Sequence, residues 1–432
     1  MTGDRHHDGT RGRQLTIDGK RRGALQALRY RDFRLIAIGN MVSQLGFWGQ
    51  YVGVSWTAKD VLEASDFMVT VAFAAQWLPA LLLSPFAGVL ADRYDRRKIV
   101  MLGNLAMIAP PLAIGLLIQA EQITMSNLIM LVLLGGCGQA FTQPAASAYV
   151  PALVPGEDIH SAIALNAGMT NSTRVIGPAL AGALVSAWGV AWGFHINAAS
   201  FLAVTAACML VRVRPTPPPR TGTSMLHELR LGFSYTRKNP AVARLILLMG
   251  MESFWNLHAA LLSIFAKDVL DGGASTYGLL AASPGFGFVF AAVLTTTLTT
   301  NRQRRVGLVI AAFGMSFSVL LLGFSRLLPL SMLALGLFGA TYMTMQTVIT
   351  TMLTIASPDA FRGRVMGVYA MFSVGVYPIN SLLAGALSQW IGAPATVVMC
   401  GFIVLAFNIT FFAGKSLSII KAGTQDHPAV AA

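Results

Sequence analysis

Glu252 is the only carboxylate inside any of the long apolar runs of this chain, and Arg174 is the one base lying deep within one. Glu252 falls about eleven residues into its run and Arg174 about fourteen, so ~16 Å and ~21 Å along a helix. Both depths are near the middle of a ~30 Å hydrocarbon layer. A charge there costs ~2.5–3.5 kcal/mol on insertion scales, so such residues line cavities and do work. A carboxyl poised between a desolvating surround and a nearby cation is a candidate proton carrier. The same pattern also fits a protonated glutamate hydrogen-bonded between helices, and both readings stand at this point.

A second group is the loop Gly88-Val89-Leu90-Ala91-Asp92-Arg93-Tyr94-Asp95-Arg96-Arg97-Lys98, with charge-free stretches at 67–91 and 99–120 on either side. A short basic loop anchors membrane helices on the positive-inside side. That explains the arginines and the lysine, but not two aspartates among them. Arg96 and Arg97 also suit anionic lipid. A third group is uncharged. Polar or aromatic residues recur at i, i+4 spacing, which places them on one helix face: Gln44 and Trp48, Gln139 and Gln143, Tyr342 and Gln346. Asn166 and Asn171 precede Arg174, and Trp255, Asn256 and His258 follow Glu252. Few charges and several aromatics suit a large, partly apolar small molecule; taken singly, each also suits packing.

These residues must be held by membrane helices. The 432 residues are 55% hydrophobic and only 11% charged, against about 25% charged in soluble domains. Apolar runs predict twelve helices, at 34–57, 67–91, 98–119, 124–149, 160–187, 192–211, 241–266, 275–299, 305–324, 328–352, 363–389 and 394–414. The first run is too long for a signal-peptide core and stays as a span. Alternate connections hold 27 lysines and arginines and the opposite set only three, Lys59, Lys267 and Arg326. That bias predicts cytoplasmic N- and C-termini. The net charge of +13 is thus accounted for by orientation, and nucleic acid is not an expected partner. Cys137, Cys208 and Cys400 have no metal-ligand spacing. No phosphate-binding glycine loop, dinucleotide fingerprint or catalytic triad spacing is present, so neither a cofactor nor an enzyme is expected.

The expected organisation is a disordered basic tail (1–32), a six-helix bundle (33–211), a linker with an amphipathic helix (212–240), a second six-helix bundle (241–414) and a tail (415–432). Pro215-Thr216-Pro217-Pro218-Pro219 stiffens the linker. The bundles repeat each other. Ala58-Lys59-Asp60-Val61-Leu62 recurs as Ala266-Lys267-Asp268-Val269-Leu270, and Leu180-Ala181-Gly182-Ala183-Leu184 recurs 203 residues later from Leu383. Parallel six-helix repeats are a transporter architecture with the site between the halves.

The loop pattern Gly-x-x-x-Asp-Arg-x-x-Arg-Arg resembles the signature of the major facilitator superfamily. Ser43–Gln50, Ala140–Ala145, Gly177–Gly182 and Phe361–Met366 extend the resemblance to its exporter branch, which contains the enterobactin exporter and drug-efflux proteins. The resemblance covers about residues 25–414. It implies the major facilitator fold and a monomeric secondary transporter of the bacterial inner membrane. That transporter exports a hydrophobic drug, siderophore or secondary metabolite by alternating access, with protons as the counter-ion. It also implies a gate at Gly88, Asp92, Arg93, Arg96 and Arg97, and a seal between the halves at Gly177, Pro178 and Gly182. A plain kink at Gly177-Pro178 and a cap-and-anchor loop remain the simpler alternatives. Asp95 stands where the superfamily usually has glycine, Ala181 replaces the first closing glycine, and residues 291–305 lack a carboxylate. A non-transporting receptor or scaffold on the same fold, an importer and a lipid flippase are the competing functions.

Overall fold

The computed structural model describes residues 25–212, 225–255, 258–373, 375–414, 416, 418 and 420. Most of the two expected tails, the proline-rich part of the linker and Asn256 lie outside them. Among the described residues there is no strand, as the bilayer demands: a helix satisfies its own backbone where no water can.

The first group of rods is α1 (Arg31–Trp56), α2 (Asp66–Arg93), α3 (Arg96–Ala106), α4 (Ala109–Gln119), α5 (Met125–Tyr149), α6 (Ile159–Trp188) and α7 (Val190–Leu210). After α8 (Met225–Lys238) come α9 (Pro240–Phe254), α10 (His258–Ile264), α11 (Ala274–Thr296), α12 (Asn301–Phe324), α13 (Leu328–Ala356), α14 (Asp359–Ser373), α15 (Tyr377–Ile391) and α16 (Ala393–Ala413). Three expected continuous helices are broken. The 98–119 run bends at Met107–Ile108, ahead of Pro110 and Pro111, which cannot donate to the preceding turn. The 241–266 run breaks after Phe254, and the 363–389 run breaks ahead of Pro378.

Among the described residues, ten segments are long and apolar enough to cross a membrane, three of them joining rods across a break: α3 with α4, α9 with α10 and α14 with α15. Of the twelve expected, α1 and α6 are long enough, at 26 and 30 residues, but carry more polar residues along their length. Ser65, Thr124, Asn239 and Thr300 cap α2, α5, α9 and α12 through side-chain oxygens. Close helix contacts rest on small residues: a Cβ on Gly49 would lie 2.8 Å from the Gly193 carbonyl oxygen.

The repeat seen in the sequence is present in the backbone. Thr57–Val61 and Phe265–Val269 both wind as π-helical turns. Each is followed by a residue in the left-handed region, Glu63 at φ 47° and Asp271 at φ 48°. Gly189 and Gly392, which join α6 to α7 and α15 to α16, take φ of 90° and 81°. The two groups of rods meet along two seams, α6 against α11 and α2 against α15.

Candidate functional site

At one end of the bundle the two π turns face each other. Lys59 Nζ lies 2.5 Å from Asp268 Oδ2, and Lys267 Nζ lies 2.8 Å from Asp60 Oδ1. Lys267 also donates to the Lys59 carbonyl at 3.4 Å. Asp66 adds to the first pair: it accepts from Lys59 at 3.1 Å and from Ser388 Oγ at 2.7 Å. Two carboxylates beside one half-buried lysine outweigh the lowering effect of burial and hold the Lys59 pKa above its ordinary value.

Below this clasp the seams are closed by backbone contact and aromatic rings. A Cβ on Gly182 would lie 2.7 Å from both the Ala274 carbonyl oxygen and Gly278 Cα, and one on Gly278 would lie 2.6 Å from the Pro178 carbonyl oxygen. In the other seam Gly385 rests on Phe67 and Thr70. Trp56 stacks on Tyr277 at 6.3 Å, and Trp77 meets Tyr377 at 6.0 Å. Gly182 and Pro178 therefore stand at the junction of the halves. Gly177 does not: it faces the Trp48 indole of α1, within its own half.

The other end of the bundle is built differently. Gln44, Gln139, Gln143 and Asn166 line one cavity of about 150 Å³ in the first group of rods, with Asn40, Ser43 and Asn104 among its other walls. No charged side chain lines it. Four of the residues singled out for substrate contact thus converge, although they come from α1, α5 and α6. Arg174, Tyr342 and Gln346 gather instead in a second group with Tyr369 and Tyr377, in which the Tyr342 and Tyr377 hydroxyls are hydrogen-bonded. Arg174 lies within electrostatic reach of the Tyr342 and Tyr377 hydroxyls. Gln346 sits beside Tyr369. Trp255 ends α9 with its ring edge-on to Phe254 at 5.3 Å. Asn171 is half-buried outside the cavity lining. The side chain of His258 lies outside the described residues.

Glu252 is fully buried at 0% exposure, and its partner is not Arg174. Asn408 of α16 donates from Nδ2 to Glu252 Oε1 at 2.8 Å, to the Ala312 carbonyl at 3.1 Å and to Ser316 Oγ at 3.1 Å. Glu252 Oε2 and Asn408 Oδ1 are buried without a hydrogen-bond partner. The acid is therefore packed among α9, α12 and α16, with Asn408 rather than Arg174 as its hydrogen-bond partner.

The basic loop is partly described. Asp95 caps α3 by accepting from the Arg97 amide at 2.9 Å. Arg96 donates to the Ala148 carbonyl at 3.4 Å and Arg97 to the Met209 carbonyl at 3.1 Å. Both cations thus serve carbonyl-rich helix ends within their own half. The side chains of Asp92 and Arg93, and the surroundings of Gly88, lie outside the described residues.

Residues 22–427 match the family model described as a transmembrane secretion effector of the MFS type. The chain belongs to the major facilitator superfamily. Among relatives of this superfamily, it is 24% identical over 402 residues to the uncharacterized MFS-type transporter YfiS of Bacillus subtilis, covering 87% of this chain and 91% of the relative. It is 26% identical over 323 residues to the enterobactin exporter EntS of Shigella boydii, covering 74% and 77%. In structure it resembles a POT family transporter crystallised with 5-aminolevulinic acid, with a TM-score of 0.74 and 14% identity over 90% of this chain and 96% of that one. The chain is thus a multi-pass membrane transporter that handles small molecules.

In this transporter the clasp residues Lys59, Asp60, Lys267 and Asp268 show in the sequence only as part of the repeat, and Asp66 lies outside it. Adjacent opposite charges, recurring identically in both halves, were the signal available. Asn408 also had a signal, as a lone amide in the bare apolar run that ends the chain's helices.

Proposed function

We propose that this transporter exports an uncharged or weakly charged, partly apolar small molecule across the bacterial inner membrane by alternating access. One observation carries the reading: the Lys59–Asp268 and Lys267–Asp60 end is closed while a polar, charge-free cavity lies toward the opposite end. With the lysine and arginine bias placing that cavity on the cytoplasmic side, this is a state able to load from the cytoplasm. The enterobactin exporter among the relatives supports a siderophore or another secondary metabolite as cargo. Export needs the clasp to part and the basic loop to take over as the closed gate, with Asp92 and Arg93 at its centre.

Glu252 is the carrier we infer for a proton driving this cycle. A charged Glu252 leaves a buried Oε2 without a donor, and burial makes that arrangement costly. One proton on Oε2 removes the buried charge. The break after Phe254 lies two residues away, so a bend there would expose the acid to water. The test is transport by the protein in vesicles with an imposed pH gradient and a trapped pH dye. Outward-directed accumulation of a siderophore or apolar drug, with matching proton movement, is expected. Accumulation indifferent to the gradient would overturn the coupling, and movement only in the opposite direction would overturn export.

A further inference from the structure

The linker helix α8 does more than connect the halves. Gly232 lets it lie directly on α14: a Cβ there would sit 2.8 Å from the Arg364 carbonyl oxygen. Tyr235 stacks on Phe361 at 4.8 Å, and the Arg364 guanidinium lies 5.2 Å from the centre of that ring. These contacts pin α8 at a fixed height against the bundle. Between α8, α9 and α14 they leave a cavity of about 770 Å³.

Its walls divide into two chemistries. One wall is a single stripe of α9, with Ala243, Ile246, Leu247, Gly250, Met251 and Phe254 at i, i+3, i+4 spacing. That stripe runs ~16 Å at 1.5 Å per residue, about half the ~30 Å thickness of the hydrocarbon layer. Phe372 closes the far side, its ring edge-on to Phe233 at 6.3 Å. Leu247 is 51% exposed and Phe372 37% exposed, so the apolar wall is uncovered by protein. The α8 end of the cavity carries Arg230, Arg237 and Lys238, with no carboxylate among the lining residues. None of the three is ion-paired among the described residues. Thr236 Oγ1, at the same end, is shielded from solvent and has no hydrogen-bond partner.

We propose that this groove is a binding site for one anionic phospholipid of the leaflet that adjoins α8. The phosphate meets Arg230, Arg237, Lys238 and the Thr236 hydroxyl, and an acyl chain lies along the α9 stripe toward Phe254. A cationic, hydroxyl-bearing mouth above an apolar trough one leaflet deep selects for that chemistry: charge for the headgroup, length and apolarity for the chain. The occupant bridges the linker helix to the rod that holds Glu252.

Native mass spectrometry of the full-length protein tests the site, using phosphatidylglycerol, phosphatidylethanolamine and phosphatidylcholine of identical chains. One phosphatidylglycerol should be retained about tenfold more strongly than either zwitterionic lipid, and inorganic phosphate should not displace it. Arg237→Glu should remove the preference while leaving basal retention of all three lipids. Leu247→Trp, which fills the trough, should weaken retention without changing the ranking by headgroup. Equal retention of the three lipids, an unchanged preference in Arg237→Glu, or displacement by inorganic phosphate alone would overturn the proposal. Thermal unfolding of each variant in detergent separates a lost site from a lost fold. None of these readouts depends on transport, so a failure of the export reading leaves this result distinguishable.

Discussion

Lys59 of the first half is held by Asp268 of the second at 2.5 Å, and Lys267 of the second is held by Asp60 of the first. Each lysine passes over the aspartate next to it in sequence and pairs with its counterpart's neighbour. The ions therefore report on whether the halves touch, which an intra-loop pair would not.

Charge reversal should expose this. Exposed ion pairs are worth ~0.2–1 kcal/mol each, so Asp268→Lys should shift the closed population by up to about fivefold toward an open clasp. Lys59→Asp in the same protein should restore most of it. Spin-label distances between the two ends, and transport rates, check the pattern. A swap that is additive rather than restorative means the pair carries no coupling.

Alkaline pH should act on the same lysine. Burial weakens proton binding by Lys59, the carboxylates of Asp268 and Asp66 more than reverse this, and the net pKa is raised. Its stabilising contribution is therefore complete below the ordinary lysine value of ~10.4 and disappears as pH climbs through the raised value. The spin-label distance across the clasp should not respond through Lys59 between about pH 6 and 9 and should lengthen only above about pH 10.4. Opening at neutral pH in the parent protein, retained when Lys59 is replaced by arginine, would assign the transition to another group.

Glu252→Gln tests the buried acid against its packing role. The glutamine amide can donate where the acid's proton would, so thermal stability should stay close to the parent. Asn408→Ala instead strands the Glu252 carboxyl without its donor and should cost ~1–3 kcal/mol. Proton-driven accumulation should be lost in Glu252→Gln despite normal folding. Undiminished accumulation would leave Glu252 a purely structural hydrogen-bonding group.

Gly182→Val places two methyl groups where a Cβ alone would already sit 2.7 Å from the backbone of α11. Backbone cannot swing aside as a side chain can, so the α6–α11 seam should spread and the clasp weaken. Gly177→Ala should act differently, because the atoms it meets belong to Trp48 of the same half. Cysteine cross-linking across the seam separates the two effects: Gly182→Val should reduce it several-fold and Gly177→Ala should spare it.

Much of the scaffold was legible because helix ends are written locally. The expected run at 394–414 is the helix Ala393–Ala413, and the break between the expected runs 160–187 and 192–211 is Gly189. The π turns were not legible, since one extra residue in a turn leaves no periodic trace in so short a segment. The partner of Glu252 is 156 positions away, and its choice of Asn408 over Arg174 depends on which face of α9 turns toward α16. Depth along a rod can be counted from sequence, whereas direction around it is set by packing. The same limit divided the polar residues of interest for substrate contact into two groups: Gln44, Gln139, Gln143 and Asn166 share a cavity, while Tyr342 and Gln346 join Tyr369, Tyr377 and Arg174.

The crossed lysines carry one more consequence. A contact in which residue i meets j on a partner, and j meets i, is what two identical subunits form about a two-fold axis. Lys59–Asp268 and Lys267–Asp60 have that form within one polypeptide. A homodimer of six-helix chains bearing a single Ala-Lys-Asp-Val-Leu segment would have made both ion pairs at once, and gene duplication with fusion would have kept them without any new mutation. Asp66 breaks that symmetry: the equivalent position in the second half is Ala274, so only one of the two pairs has a second acid.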